Sequence, residues 1–127
     1  MQALGRQILV ELYECDSDLL NDREFISKAM VEAVEKAKAT IVASTFHHFS
    51  PHGVSGVVVI AESHVSVHTW PEYGYAAVDI FTCGESIDPW IIHISLKDDL
   101  RSPNTSVTEI KRGLFDAPGK LAHKACA

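Results

Sequence analysis

The chain has 127 residues, 46% of them hydrophobic and 22% charged, with a formal net charge of −6. That length is one domain, residues 1–127, which can bury roughly 65–70% of the surface its unfolded chain exposes. The acidic balance, with no Lys/Arg run longer than two, argues against a nucleic-acid partner, and no apolar run nears the ~20 residues that cross a bilayer.

The N-terminal MQALGRQILVELYECD has no long apolar stretch and soon turns acidic. No signal peptide is expected there, and a cytoplasmic location without a membrane partner follows. Within it, residues 6–14 are rich in strand formers and read as a strand. Asn21 and Glu24 have the spacing of a capping box. After them Phe25, Ala29, Ala33 and Ala37, flanked by Ile26, Met30 and Val34, make a helical stripe over about 22–38. Residues 39–49 read as a second strand, closed by a turn at Ser50-Pro51-His52-Gly53. VSGVVVIAE, 54–62, is almost continuously apolar and reads as a buried central strand. HVSVHTW, 64–70, alternates, with His64, Ser66, His68 and Trp70 on one face. Pro71 to Gly74 interrupt the chain before a strand at 75–83. Asp88 caps a helix with Pro89 at its first position, running to about Arg101. Residues 105–112 read as an edge strand, and the last fifteen, from Gly113, as loosely attached. The order β-α-β-β-β-β-α-β predicts an α+β two-layer sandwich, a mostly antiparallel sheet with two helices on one face. The sheet's uncovered face predicts a second subunit packed against it.

Cys15, Cys83 and Cys126 are too few and too widely spaced for a disulfide framework or a zinc site, which fits reduced thiols. His47, His48 and His52 are spaced H-H-x-x-x-H, but adjacent strand residues point to opposite faces, so these read as surface or turn histidines and no metal is expected. The junction at Glu62-Ser63 is different. A tight strand reversal needs positive φ, usually from Gly, Asn or Asp, and none of these occurs between Val57 and Trp70. Either the turn is merely imperfect, or strain is held at a peptide bond that reacts.

The run STFHHFSPHGVSGVVVIAESHVSVHTWPEYGYAAVDIFTCG, 44–84, resembles the core signature of the small prokaryotic pyruvoyl-dependent S-adenosylmethionine decarboxylases, and LGRQILVELYECD resembles their first strand. The likeness covers roughly residues 4–90. It implies a proenzyme that cuts itself between Glu62 and Ser63, giving chains 1–62 and 63–127. The cofactor would be a pyruvoyl group derived from Ser63, covalent and self-generated. Such a carbonyl supplies the electron sink that removing CO2 from an α-amino acid requires.

The resemblance also implies roles. His68 would remove the Ser63 α-proton during processing, a task suited to an imidazole. Positions 63 and 68 differ by an odd number, so a regular strand aims them at opposite faces. Ser55 would assist processing. Cys83 would donate a proton to the substrate carbon after CO2 leaves, while Cys15 and Cys126 remain packing residues. Phe49 and Trp70 would face the adenine and the sulfonium, and Glu72 would accept the ribose hydroxyls. The expected assembly is a homo-oligomer, a dimer of two-chain protomers with sites shared between them. The same machinery would suit a relative acting on arginine or ornithine. A reading of another class is an unprocessed regulatory or binding partner that keeps only the fold.

Overall fold

The computed structural model describes residues 1–116 and 118–122. In chain order the elements are β1 (Gln2–Tyr13), α1 (Ser17–Leu20), α2 (Arg23–Lys36), β2 (Ile41–His48), β3 (Val54–Ile60), β4 (Ser63–Trp70), a 3₁₀ turn (Pro71–Tyr73), β5 (Tyr75–Cys83), α3 (Pro89–Asp99) and β6 (Asn104–Phe115). The strands form one sheet in the order β2-β3-β4-β5-β1-β6. All its pairings are antiparallel. This is the α+β fold that the alternation of strands and helices predicts.

One face of the sheet makes the core. Ile8, Val10 and Leu12 of β1, Val54, Val58 and Ile60 of β3, Val65 and Val67 of β4, and Val78 and Ile80 of β5 are all buried. Against them pack Ile26, Met30 and Val34 of α2 and Ile92 and Leu96 of α3. Each such side chain contributes roughly 1.5–3 kcal/mol when fully buried. The period of 2 in the strands and the helical stripe in α2 thus meet in a single layer.

Among the described residues, no helix covers the opposite face. It presents Ser55, Val57 and Val59 of β3, His64, Ser66, His68 and Trp70 of β4, and Ala77, Asp79, Phe81 and Cys83 of β5. Val59 is 39% exposed in the single chain. The apolar run at 54–60 therefore belongs to a strand buried on one face only, not on two as its composition suggests. Nor is it central, since only β2 lies outside it.

Local chemistry moved several boundaries. Asp22, not Asn21, caps α2, its Oδ1 accepting from the Phe25 backbone N–H at 3.0 Å. Asn21 is used elsewhere: its Oδ1 meets His48 Nε2 and the Gly53 N–H, each at 2.9 Å. β6 runs on to Phe115, which pairs with Gln2, so the chain from Gly113 to Phe115 is part of the sheet rather than loosely attached. Position 117 and residues 123–127, including Cys126, lie outside the described residues. No described helix is long and apolar enough to cross a membrane.

Candidate functional site

The β3–β4 reversal has two loop residues, Ala61 and Glu62, between the paired Ile60 and Ser63. Glu62 adopts φ +65°, in the left-handed region. For a residue with a side chain this costs roughly 1–2 kcal/mol. The other side-chain-bearing residues with positive φ, Glu14, Lys38 and Arg101, sit at the ends of elements rather than in a tight hairpin. The strain foreseen from the missing Gly, Asn or Asp is thus located at Glu62, on the carbonyl side of the Glu62–Ser63 bond.

Ser63 is 7% exposed and faces the helix layer. Its Oγ accepts the backbone N–H of Cys83 at 3.2 Å. Cys83, the last residue of β5, is half-buried. Glu62, Ser63 and Cys83 therefore meet at one end of the sheet, although Ser63 and Cys83 are twenty residues apart in sequence.

The remaining candidates gather at the other end. Ser55 and His68 face each other across β3 and β4, with Ser55 Oγ and His68 Nδ1 2.8 Å apart. This contact occupies one ring nitrogen and leaves Nε2 for chemistry. When the imidazole Nδ1–H donates to Ser55, Nε2 is the basic nitrogen. His68 is exposed on the open face. Trp70, 40% exposed, stacks on Tyr75 with centroids 5.3 Å apart and lies 6.4 Å from the His68 ring. Phe49, 47% exposed, meets the His47 ring edge-on at 4.6 Å. Glu72, in the 3₁₀ turn, pairs with His52 Nε2 at 3.0 Å. Its carboxyl is held below the ordinary value, chiefly by its own backbone N–H and further by His52.

The three histidines of the H-H-x-x-x-H run go to three different partners: His47 to Phe49, His48 to Asn21 and His52 to Glu72. Sequence reasoning missed Asn21, His52 and Thr69 as parts of this end. Thr69 Oγ1 accepts the Val54 N–H at 2.8 Å and donates to the Leu20 carbonyl at 2.7 Å, tying β3, β4 and α1 together. Nothing in linear spacing signals such links. Tyr75 was also overlooked. Burial and the Glu11 carboxylate that accepts its hydroxyl push its pKa well up, so it stays protonated.

The candidate set is thus split in two. Glu62, Ser63 and Cys83 form one half-site, and Phe49, Ser55, His68, Trp70 and Glu72 form the other, at opposite ends of β4.

Comparisons with known proteins agree on one family. The family model for S-adenosylmethionine decarboxylase matches residues 6–113. The S-adenosylmethionine decarboxylase proenzyme of Caldicellulosiruptor saccharolyticus is 56% identical, over 97% of this chain and 99% of its own. The proenzyme of Thermotoga maritima is 51% identical over 98% of each. The crystal structure of the adenosylmethionine decarboxylase from Aquifex aeolicus superposes with a TM-score of 0.87 at 33% identity, covering 95% of this chain and all of that one.

Proposed function

The chain belongs to the S-adenosylmethionine decarboxylase family, and from that premise we propose that it is a self-processing, pyruvoyl-dependent enzyme that decarboxylates S-adenosylmethionine. The product is the aminopropyl donor for spermidine synthesis. The observation that carries this reading is the Glu62–Ser63 junction: a left-handed Glu62 followed by a nearly buried serine whose Oγ rests on the Cys83 amide.

Processing follows from those residues. Ser63 Oγ adds to the Glu62 carbonyl carbon, the C–N bond breaks, and an ester replaces the amide. Leaving the left-handed conformation at Glu62 releases strain in the direction of cleavage. A base then takes the Ser63 α-proton, the Cβ–O bond breaks, and residue 62 departs as a carboxylate. The dehydroalanine at the head of 63–127 takes up water and loses ammonia, leaving a pyruvoyl group. The position of residue 63 fits such a group, being nearly enclosed, and the Cys83 backbone N–H there holds the Ser63 Oγ that attacks Glu62 and later leaves with it. Once formed, it supplies the sink for the electron pair left at the substrate carbon when CO2 departs.

Cys83, whose thiol stands on the open face at the same end of the sheet, donates the proton that this carbon then takes up. His68, oriented by Ser55, is the base of processing. Phe49 and Trp70 offer exposed faces for adenine and sulfonium, and the ionised Glu72 accepts the ribose hydroxyls.

The split between half-sites supports a dimer of two-chain protomers. His68 is five positions from Ser63, roughly 16 Å along an extended strand, and on the other face. Two copies joined by their open faces, strands running opposite ways, bring the partner subunit's His68 and the partner subunit's Ser55 to the end of the sheet that holds residue 63, and the acyl shift, by breaking the 62–63 amide, frees residue 63 to turn to that face. The substrate then lies between protomers.

The activity test is release of labelled CO2 from carboxyl-labelled S-adenosylmethionine, arginine and ornithine. The proposal expects release from the first alone. Release from arginine or ornithine in preference to it would reassign the substrate, and release from none would leave the chain a non-catalytic relative.

A further inference from the structure

The contact between His52 and Glu72 lies outside the processing chemistry, and an exposed ion pair contributes little to stability by itself. Both side chains are a little over a third exposed. What sets this pair apart is that each partner stands on backbone fixed from several sides. The Phe49 N–H donates to the Gly53 carbonyl at 2.8 Å, closing the loop that holds His52. The Gly53 N–H donates to Asn21 Oδ1 at 2.9 Å. Gly53 has φ +108°, and a Cβ there would meet the Thr69 carbonyl oxygen at 3.1 Å, so the loop lies directly against the end of β4. On the other side, the Gly74 N–H closes the turn on the Pro71 carbonyl at 3.1 Å, and the Gly74 carbonyl accepts the Cys15 N–H at 2.9 Å. The imidazole thus meets Glu72 Oε2 from a fixed direction. A carboxylate offers about four lone-pair sites, so its own backbone N–H and the imidazole still leave room for two hydroxyls of a vicinal diol.

We propose that His52 is a positioning residue that holds the Glu72 carboxylate in the orientation that recognises the substrate's ribose, and so sets the preference for a ribonucleoside. The inference rests on the reading of Glu72 as the ribose acceptor. An unheld glutamate must be ordered each time substrate binds, and that cost falls on binding rather than on the chemical step. A site built to bond a hydroxyl also rejects an analogue lacking it, and loses that discrimination when its acceptor is free to turn away.

The test uses the processed enzyme with S-adenosylmethionine and with its 2′-deoxyribose analogue, in His52→Ala, His52→Gln, Glu72→Ala and the double variant His52→Ala/Glu72→Ala. His52→Ala should self-cleave fully and keep kcat within about twofold. Its KM for S-adenosylmethionine should rise roughly three- to tenfold, with a smaller preference over the deoxy analogue. His52→Gln, whose Nε2 falls near that of imidazole and also donates, should recover most of both. The double variant should be no worse than Glu72→Ala. If Glu72→Ala loses the preference while His52→Ala keeps it and its KM, His52 has no positioning role and Glu72 retains its own. Additive effects in the double variant would equally refute the coupling. If Glu72→Ala changes neither KM nor preference, the ribose reading fails and the inference with it.

Discussion

Ser63 and His68 stand on the same strand, β4, and that strand turns them to opposite faces of the sheet. Ser63 is buried against the helix layer, while His68 is exposed on the open face and bonded to Ser55. They are five positions apart, roughly 16 Å of extended chain, and no rotamer of either brings the imidazole to the Ser63 α-carbon. A second copy docked on the open face with its strands reversed would bring its own His68 to this end of the sheet, where breaking the 62–63 amide frees residue 63 to turn toward it.

That relationship predicts complementation. Chains carrying Ser63→Ala and chains carrying His68→Ala should each stay uncut when produced alone. Co-produced, they should form mixed dimers in which Ser63 of the His68→Ala chain meets the partner's His68. The His68→Ala chain alone should then be cut. Analysis of the two chains with distinguishable tags checks this. Mixed dimers that remain uncut would place the base in the same protomer as the serine.

The proton-donor role proposed for Cys83 would separate making the cofactor from using it. Its backbone N–H, which holds Ser63 Oγ, survives in Cys83→Ala. That variant should still cleave at Glu62–Ser63, while turnover falls roughly 10²–10⁴-fold, the usual loss with a positioned acid. Without the donor the proton goes to the wrong carbon and converts the cofactor to an alanine. The variant should therefore inactivate after fewer turnovers than wild type. Counting CO2 released per active site lost measures this, and unchanged turnover and lifetime would make Cys83 a packing thiol.

His93 should make the fold acid-sensitive. It is buried on α3 beside the Trp90 ring, and its Nδ1 is buried without a hydrogen-bond partner. Burial, and then the charge of Lys97, hold its pKa below the ordinary value of 6.5. The unfolded chain therefore binds this proton more readily than the folded one. The stability contribution is intact above the unfolded pKa and is lost as pH falls from there toward the lower folded pKa. His93→Leu leaves no buried nitrogen to charge. Between pH 7 and 5 the wild-type Tm should fall further than that of His93→Leu. Parallel curves would show that other groups govern acid sensitivity.

The parts of this account that were legible in the sequence are those that depend on local period. The strand at Tyr75–Cys83 and the N-cap at Asp88 were readable because alternation and a Pro-led helix start are local signals. β6 was read short because an edge strand exposed along nearly its whole length carries no burial pattern to mark its ends. The four-residue α1 is too short to show a period at all. Asn21 looked like a helix cap because its chemistry suits one, and only the fold shows its amide oxygen shared by His48 and Gly53. The candidate residues themselves were named by resemblance. That they fall into two half-sites was visible only as strand parity between 63 and 68, since the pairing of β4 with β5 brings Cys83 to Ser63 across the sheet.

The most direct test is the intact mass of the purified protein after prolonged incubation, beside Ser63→Ala. The account predicts two chains, 1–62 and 63–127, with the second lighter by one ammonia than a simple hydrolytic fragment, because its first residue has become a pyruvoyl group. Ser63→Ala should stay whole and inactive, having neither the attacking oxygen nor the source of the carbonyl. A wild-type chain that stays whole, or a cut that leaves serine at the head of the second fragment, would contradict self-processing at Glu62–Ser63.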